Sequence, residues 1–124
     1  MLERRHIETL DGARRARIVA SADLIFLSGI QADDTAGDIG EQMRGALHNI
    51  DAALAEIGED QASIFIVHVW LKDMRYFGAM NAVWNAWADP VNPPARTCVE
   101  GELYRPDALV ELVVTACRTR GKSA

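Results

Sequence analysis

Several residue types that mark special classes of protein are scarce in this chain of 124 residues. It has two cysteines, Cys98 and Cys117, which are too few for a disulfide scaffold. Both lie in strand-like runs, so we expect reduced, buried thiols and a cytoplasmic location. No apolar run is long enough to span a membrane, and the N-terminus is charged rather than signal-like. An excess of positive charge is also lacking, since the formal net charge is -5, which argues against a nucleic-acid partner.

Metal-binding patterns are lacking as well. The three histidines, His6, His48 and His68, have no metal-ligand spacing, so we predict no metal site. What is present is ordinary for a globular protein, with 49% hydrophobic and 25% charged residues. At this length, we expect one domain over residues 1–124 with a single core.

The pattern of apolar residues predicts an α+β fold with the element order β-β-β-α-β-α-β-β. The clearest element is a helix that begins at Asp38 and stops at Gly58, because Asp38 and Glu41 have the spacing of a capping box. A second helix is predicted over residues 75–88. Strands are predicted over residues 3–8, 17–20, 24–27, 64–71, 97–103 and 109–117, and residues 121–124 are expected to form a frayed tail.

Two of the predicted strands, 64–71 and 109–117, are apolar on both faces. Strict alternation would place Ile64 with Ile66 on one face and Phe65 with Val67 on the other. Two helices can cover only one face of such a sheet. The other face therefore needs another chain, and we infer an obligate homo-oligomer.

The stretch around Arg96 has the features of an anion receptor. Pro93 and Pro94 restrict the chain just before this residue, so Arg96 should lie at the start of a strand, with Cys98 on the same face. A guanidinium held there can bind a carboxylate or phosphate through two parallel hydrogen bonds. A surface salt bridge is the simpler interpretation.

Three other residues have two interpretations each. Glu111 is a carboxylate within an apolar strand, where it serves either a structural ion pair or acid-base chemistry. Trp84, in the second helix, either packs in the core or lines a pocket, because this helix leads directly to Arg96. Cys98 is either a buried structural thiol or a nucleophile, although no histidine lies near it in the sequence.

Several of these motifs together are similar to the signature of the RidA/YjgF family. They are Pro94-Ala95-Arg96-Thr97-Cys98-Val99-Glu100, Leu109-Val110-Glu111-Leu112, Ser28-Gly29 after an apolar strand, Val69-Trp70-Leu71-Lys72-Asp73, and Met80-Asn81. The resemblance implies a chorismate-mutase-like α+β fold, a mixed sheet with two helices on one face, and a homotrimer with ligand clefts between subunits. It also implies hydrolysis of reactive enamines and imines, such as 2-aminoacrylate, to 2-oxo acids and ammonia, with no cofactor.

The resemblance also implies roles for single residues. Arg96 would hold the substrate carboxylate, Glu111 would orient the attacking water, and Ser28 and Cys98 would line the pocket. Because the family's N-terminal Gly-Pro-Tyr is absent and Arg15 stands where the tyrosine is expected, Arg15 is a further candidate for substrate binding.

The departures from the family pattern leave other functions open. A diverged, non-enzymatic member could bind a small carboxylate as a sensor or regulator. Chaperone-like or RNA-directed roles form a third interpretation, and the net charge weighs against RNA.

Overall fold

The computed structural model describes residues 1–119, and these residues form six strands and two α-helices in the predicted order. The predicted tail, residues 121–124, lies outside the described residues. Short 3-10 turns precede β4 and α2. The elements are β1 (Glu3–Leu10), β2 (Ala13–Ala20), β3 (Leu24–Leu27), α1 (Ile39–Glu56), β4 (Ile64–Leu71), α2 (Phe77–Trp87), β5 (Ala95–Glu100) and β6 (Val110–Cys117).

All six strands belong to one mixed sheet with the order β1-β2-β3-β6-β4-β5. β4 and β5 are parallel, and the other neighbouring pairs are antiparallel. A parallel pair needs a crossover connection, which here is helix α2. The hairpin between β1 and β2 turns at Asp11 and Gly12, whose φ angles of 47° and 85° suit the two-residue turns that match strand twist.

Helix α1 begins as its sequence predicts. The Asp38 carboxylate accepts a hydrogen bond from the Glu41 backbone N–H at 2.9 Å, and the Glu41 carboxylate accepts one from the Asp38 N–H. The apolar stripe of α1 and that of α2 pack on the same face of the sheet and form the core with β4 and β6. The large side chains that are fully buried there include Met43, Ile50, Leu54, Val67, Val69, Leu71, Met80, Leu112 and Val114.

Several predicted boundaries were wrong by a few residues. β2 begins at Ala13 rather than residue 17, because the hairpin with β1 continues through a polar stretch that lacks an apolar pattern. β5 covers Ala95–Glu100 rather than 97–103, since its parallel pairing with β4 ends at Glu100. The second helix splits into a 3-10 turn, Met74–Tyr76, and α2, and β6 begins one residue late, at Val110.

The predicted facing of Ile64 and Phe65 was also wrong. The pairing of β4 with β6 shifts register between Ile64 and Ile66, which marks a β-bulge. Ile64 is consequently buried with the core, whereas Phe65 is 52% exposed. Strict alternation fails at this position because the bulge adds one residue to β4. Side chains that precede the bulge therefore point to the side of the sheet opposite to the one that alternation predicts.

The second face of the sheet is covered by no helix among residues 1–119. We call it the open face. It carries partly exposed apolar side chains from β4 and from the outermost strand, β5, including Trp70 at 41% and Val99 at 45%. His68 also lies there, and its Nδ1 is 2.7 Å from the hydroxyl of Thr97. No described helix is long and apolar enough to cross a membrane.

Candidate functional site

Arg96 and Cys98 lie on the face of the sheet that the helices cover. In the parallel register, Arg96 is opposite Val67 and Cys98 is opposite Val69. Val67 and Val69 belong to the buried core, and laterally paired residues point to the same face. The two candidates therefore point toward the helix layer, at the outermost strand of the sheet.

Helix α2 holds the guanidinium of Arg96 between aromatic rings. The guanidinium carbon lies 5.1 Å from the ring centroid of Trp84 and 5.8 Å from that of Phe77, and Nη1 is 3.5 Å from the sulfur of Met80. Such cation–π contacts orient the flat face of the group. No described carboxylate forms an ion pair with Arg96. Most of its N–H donors thus remain available for an anion.

The thiol of Cys98 is poorly suited to be a nucleophile. Burial raises the pKa of Cys98, and the nearby positive charge of Arg96 only partly opposes that effect. The thiol therefore stays protonated at neutral pH, whereas the thiolate is the reactive form. Cys98 is better suited to lining the site.

Glu111 lies on the open face, on the other side of the sheet from Arg96. It pairs with Trp70 in the register of β4 and β6. The chain beside it is positioned by Ile30, which exchanges two backbone hydrogen bonds with Leu112, each 2.8 Å long. This bridge places the residues before and after Ile30 next to the Glu111 side chain.

These neighbours hold the Glu111 carboxylate from two sides. The amide of Gln31 donates to Oε1 at 2.8 Å. Gly29 lies against the other oxygen so closely that a Cβ at this position would be 2.7 Å from Oε2. The hydrogen bond from Gln31 therefore orients the carboxylate, and the lack of a side chain at Gly29 leaves room for it.

Glu111 is part of the lining of an open-face cavity of about 820 Å³. Arg15 lines the same cavity, and it donates to the Glu8 carboxylate from Nε at 2.9 Å and forms an ion pair from Nη2 at 2.8 Å. Tyr104 extends from the loop after β5 and its hydroxyl contacts the Asp11 carboxylate in the β1–β2 turn. The cavity is thus bounded by two loops that meet through this contact.

Ser28 lies beside this cavity and lines a smaller one of about 280 Å³. Its hydroxyl donates to the backbone carbonyl of Ala16 at 2.7 Å. That hydrogen bond ties the residue after β3 to β2, so the hydroxyl proton is already used within the fold.

The predicted site residues therefore fall into two groups within one chain. Arg15 and Glu111 share a cavity with Ser28 next to it, while Arg96, Cys98 and Trp84 lie together on the opposite face. Sequence reasoning missed the positioning role of Gln31. It also missed Phe77 as a contact of Arg96. Among residues 1–119, no group of three or more His, Cys, Asp or Glu side chains is arranged to hold a metal ion.

Comparison with known proteins adds evidence from outside the chain. The family model described as Endoribonuclease L-PSP matches residues 13–118. The RutC family protein YoaB of Escherichia coli (strain K12) is 31% identical over 104 residues, which are 84% of this chain and 90% of that protein. The protein named 3-aminoacrylate deaminase RutC of Acinetobacter baylyi is 31% identical over 100 residues, which are 76% of this chain and 79% of its own.

The solved structures agree with the fold. A member of the YjgF protein family from Neisseria meningitidis superimposes with a TM-score of 0.86 at 34% identity, and the match covers 98% of each chain. The match therefore includes nearly all of the strands and helices described above. From the family-model match, the relatives and this structural likeness, we conclude that the chain belongs to the Endoribonuclease L-PSP family, the RidA/YjgF family that its motifs resemble.

Proposed function

We propose that this protein hydrolyses reactive 2-imino acids and their enamine forms to 2-oxo acids and ammonia. The observation that carries the proposal is the Glu111 carboxylate, which Gln31 and Gly29 orient toward a cavity large enough for a small acid and water. A relative named 3-aminoacrylate deaminase supports the same class of reaction.

The placement of Arg96 and Glu111 implies that the reaction takes place between subunits. The two side chains lie on opposite faces of one sheet, so one small substrate cannot contact both within a single chain. We propose a homotrimer in which Arg96 of one copy and Glu111 of a neighbouring copy line the same cleft. The exposed apolar residues of the open face would be buried by this assembly, which supports it.

The chemistry needs only positioning and a directed water molecule. Arg96 would bind the α-carboxylate bidentately, which orients the imine carbon. Glu111 would accept a proton as the water oxygen bonds to that carbon, while the C=N double bond becomes a single bond and its nitrogen takes up a proton. The resulting carbinolamine then loses its hydroxyl proton and expels ammonia, which leaves the 2-oxo acid.

Release of ammonia from freshly generated 2-imino acids tests the proposal, with Glu111→Gln as the informative variant. Glu111→Gln retains the shape of the side chain but cannot accept the proton, so turnover should fall by roughly 100-fold or more, the usual size of a general-base contribution. Binding of 2-oxobutyrate should change little. Glu102→Gln removes one charge from an exposed site and should behave like the unmodified protein.

Two outcomes would contradict this role for Glu111. If Glu111→Gln retains full turnover, the carboxylate is not the base. If it instead unfolds at lower temperature and loses its oligomeric state, Glu111 serves the structure. Losing the hydrogen bond from Gln31 to a charged carboxylate would cost about 1.5–3 kcal/mol, which such a measurement detects.

The second candidate is a non-enzymatic carboxylate sensor. The observation that favours it is Arg15, which stands where the resemblance implies a tyrosine and is held by Glu8. A sensor would bind 2-oxo acids through Arg96 but release no ammonia above the uncatalysed rate, so the same assay separates the two functions.

A further inference from the structure

Arg17 lines the same cavity as Glu111, and its position follows from the strand register. On β2 it lies two residues from Arg15, on the open face. Its backbone carbonyl accepts a hydrogen bond from the Ser28 N–H at 3.0 Å. Arg17 is therefore one strand away from Gly29, against which the Glu111 carboxylate lies.

The other charged groups around the cavity already have partners. Arg15 is paired with Glu8, and Arg105 donates to the hydroxyl of Thr35 at 3.0 Å. The carboxylates of Asp11, Asp33 and Glu111 accept hydrogen bonds from Tyr104, Asn49 and Gln31, respectively.

Arg17 differs from these groups. Its guanidinium forms no hydrogen bond, ion pair or ring contact with any residue from 1 to 119. In an isolated chain, water would solvate it. In an assembly that covers the open face, a guanidinium without a counter-charge would be costly, because burying an unpaired charge is strongly unfavourable.

We infer that the counter-charge is part of the ligand: the site takes 2-oxo or 2-imino acids whose side chain ends in a second carboxylate, and Arg17 binds that group. The inference rests on the proposed between-subunit cleft and adds its substrate class. Arg96 of one copy would bind the α-carboxylate, and Arg17 on the Glu111 side would bind the distal one. The cavity of about 820 Å³ leaves room for the longer side chain.

Calorimetry with two product-like probes tests this assignment. 2-Oxoglutarate carries the second carboxylate, and 2-oxobutyrate lacks it. The unmodified protein should bind 2-oxoglutarate more tightly. Arg17→Ala should weaken 2-oxoglutarate binding roughly 10- to 100-fold, as expected for a lost charged hydrogen bond, and leave 2-oxobutyrate affinity within about twofold. Arg17→Lys should recover part of the preference for 2-oxoglutarate over 2-oxobutyrate, since lysine restores the charge but lacks the parallel N–H donors of a guanidinium.

Arg14→Ala is the matched control, because Arg14 lies on the same strand, is exposed and carries the same charge. It should leave the ratio of the two affinities unchanged. Equal loss in Arg14→Ala and Arg17→Ala would mean a long-range charge effect and would overturn the assignment. So would a preference for 2-oxobutyrate in the unmodified protein, or an Arg17→Ala variant that loses its oligomeric state.

These measurements can reject the proposed activity and the proposed ligand class independently of each other. If no imine is hydrolysed but Arg17 still sets the preference for 2-oxoglutarate, the proposed enzyme activity is wrong and the ligand class stands. If imines are hydrolysed and Arg17→Ala treats both probes as the unmodified protein does, the ligand class is wrong and the activity stands.

Discussion

At the scale of single residues, Arg96 has two roles that different substitutions can separate. Its guanidinium contacts Trp84 and Phe77, so removal of the side chain also removes packing. We expect Arg96→Ala to lose 2-oxobutyrate binding and also about 0.5–2 kcal/mol of stability, the range of a cation–π contact.

Two further variants of Arg96 isolate the ligand-binding role. Arg96→Met retains an apolar side chain against the rings and should restore part of the stability but no binding. Arg96→Lys retains the charge but lacks the parallel N–H donors of a guanidinium, so it should bind 2-oxobutyrate at least about tenfold more weakly. Calorimetry and thermal unfolding on the same samples measure both effects. If Arg96→Met binds 2-oxobutyrate as well as the unmodified protein, the carboxylate site lies elsewhere, and Arg15 is the next residue to test.

Gly29 gives a second prediction at this scale. A methyl group there would be 2.7 Å from Oε2 of Glu111, so in Gly29→Ala the carboxylate has to move away. Because the obstructing atom is at the end of a flexible side chain, the fold should tolerate the change and stability should fall only slightly. Imine hydrolysis should drop at least tenfold, since a misplaced catalytic group is costly.

The control for Gly29 is Gly78→Ala in helix α2, where no atom lies within 4 Å of the added carbon. That variant should be as active and at least as stable as the unmodified protein, because alanine is the better helix former. Full activity in Gly29→Ala would show that the observed orientation of Glu111 is not needed for the reaction.

At the scale of elements, helix α1 depends on its capping box. Asp38→Ala removes the oxygen that accepts the Glu41 N–H and should cost about 1 kcal/mol, within a range of about 0.5–2. Asp38→Asn retains an accepting oxygen and should cost much less. Urea unfolding measures the difference. A stability of Asp38→Ala equal to that of the unmodified protein would mean that tertiary packing alone holds the start of the helix.

Helix α2 links the packing of the fold to the site. The spacing of Phe77, Met80 and Trp84 predicts one apolar face, and that face meets both the core and Arg96. The periodicity of the helix was thus readable from the sequence. That its aromatic rings position an arginine was not, because the contact depends on where β5 lies beside β4.

At the scale of the whole molecule, the open face predicts self-association. Sedimentation should show a stable three-chain particle at micromolar concentration. Trp70→Glu should shift it toward monomers, because a charge at an exposed apolar residue of this face would be buried in the assembly. Val91→Glu is the control, since Val91 is 80% exposed in a loop outside the sheet and its change should leave the mass unaltered. A well-folded monomer of the unmodified protein would contradict the packing argument.

The order of elements, the capping box and the turn at Asp11-Gly12 were predictable from the sequence alone, because each depends on the periodicity or chemistry of residues that are close in the chain. Alternation also placed Arg96 with Cys98 on one face of their strand. These are local properties, and the structure repeats them with boundary shifts of a few residues.

The arrangement of the site depended on the tertiary structure. The alternation of side chains predicts which residues of a strand share a face. Which of the two faces the helices cover depends on strand pairing and helix packing. Arg96 therefore points to the helices and Glu111 away from them. The hydrogen bond from Gln31 to Glu111 joins residues that are 80 positions apart, and the bulge at Phe65 arises from the pairing of two strands. No local pattern specifies such long-range contacts, because they form only when distant segments are brought together by the burial of a common core.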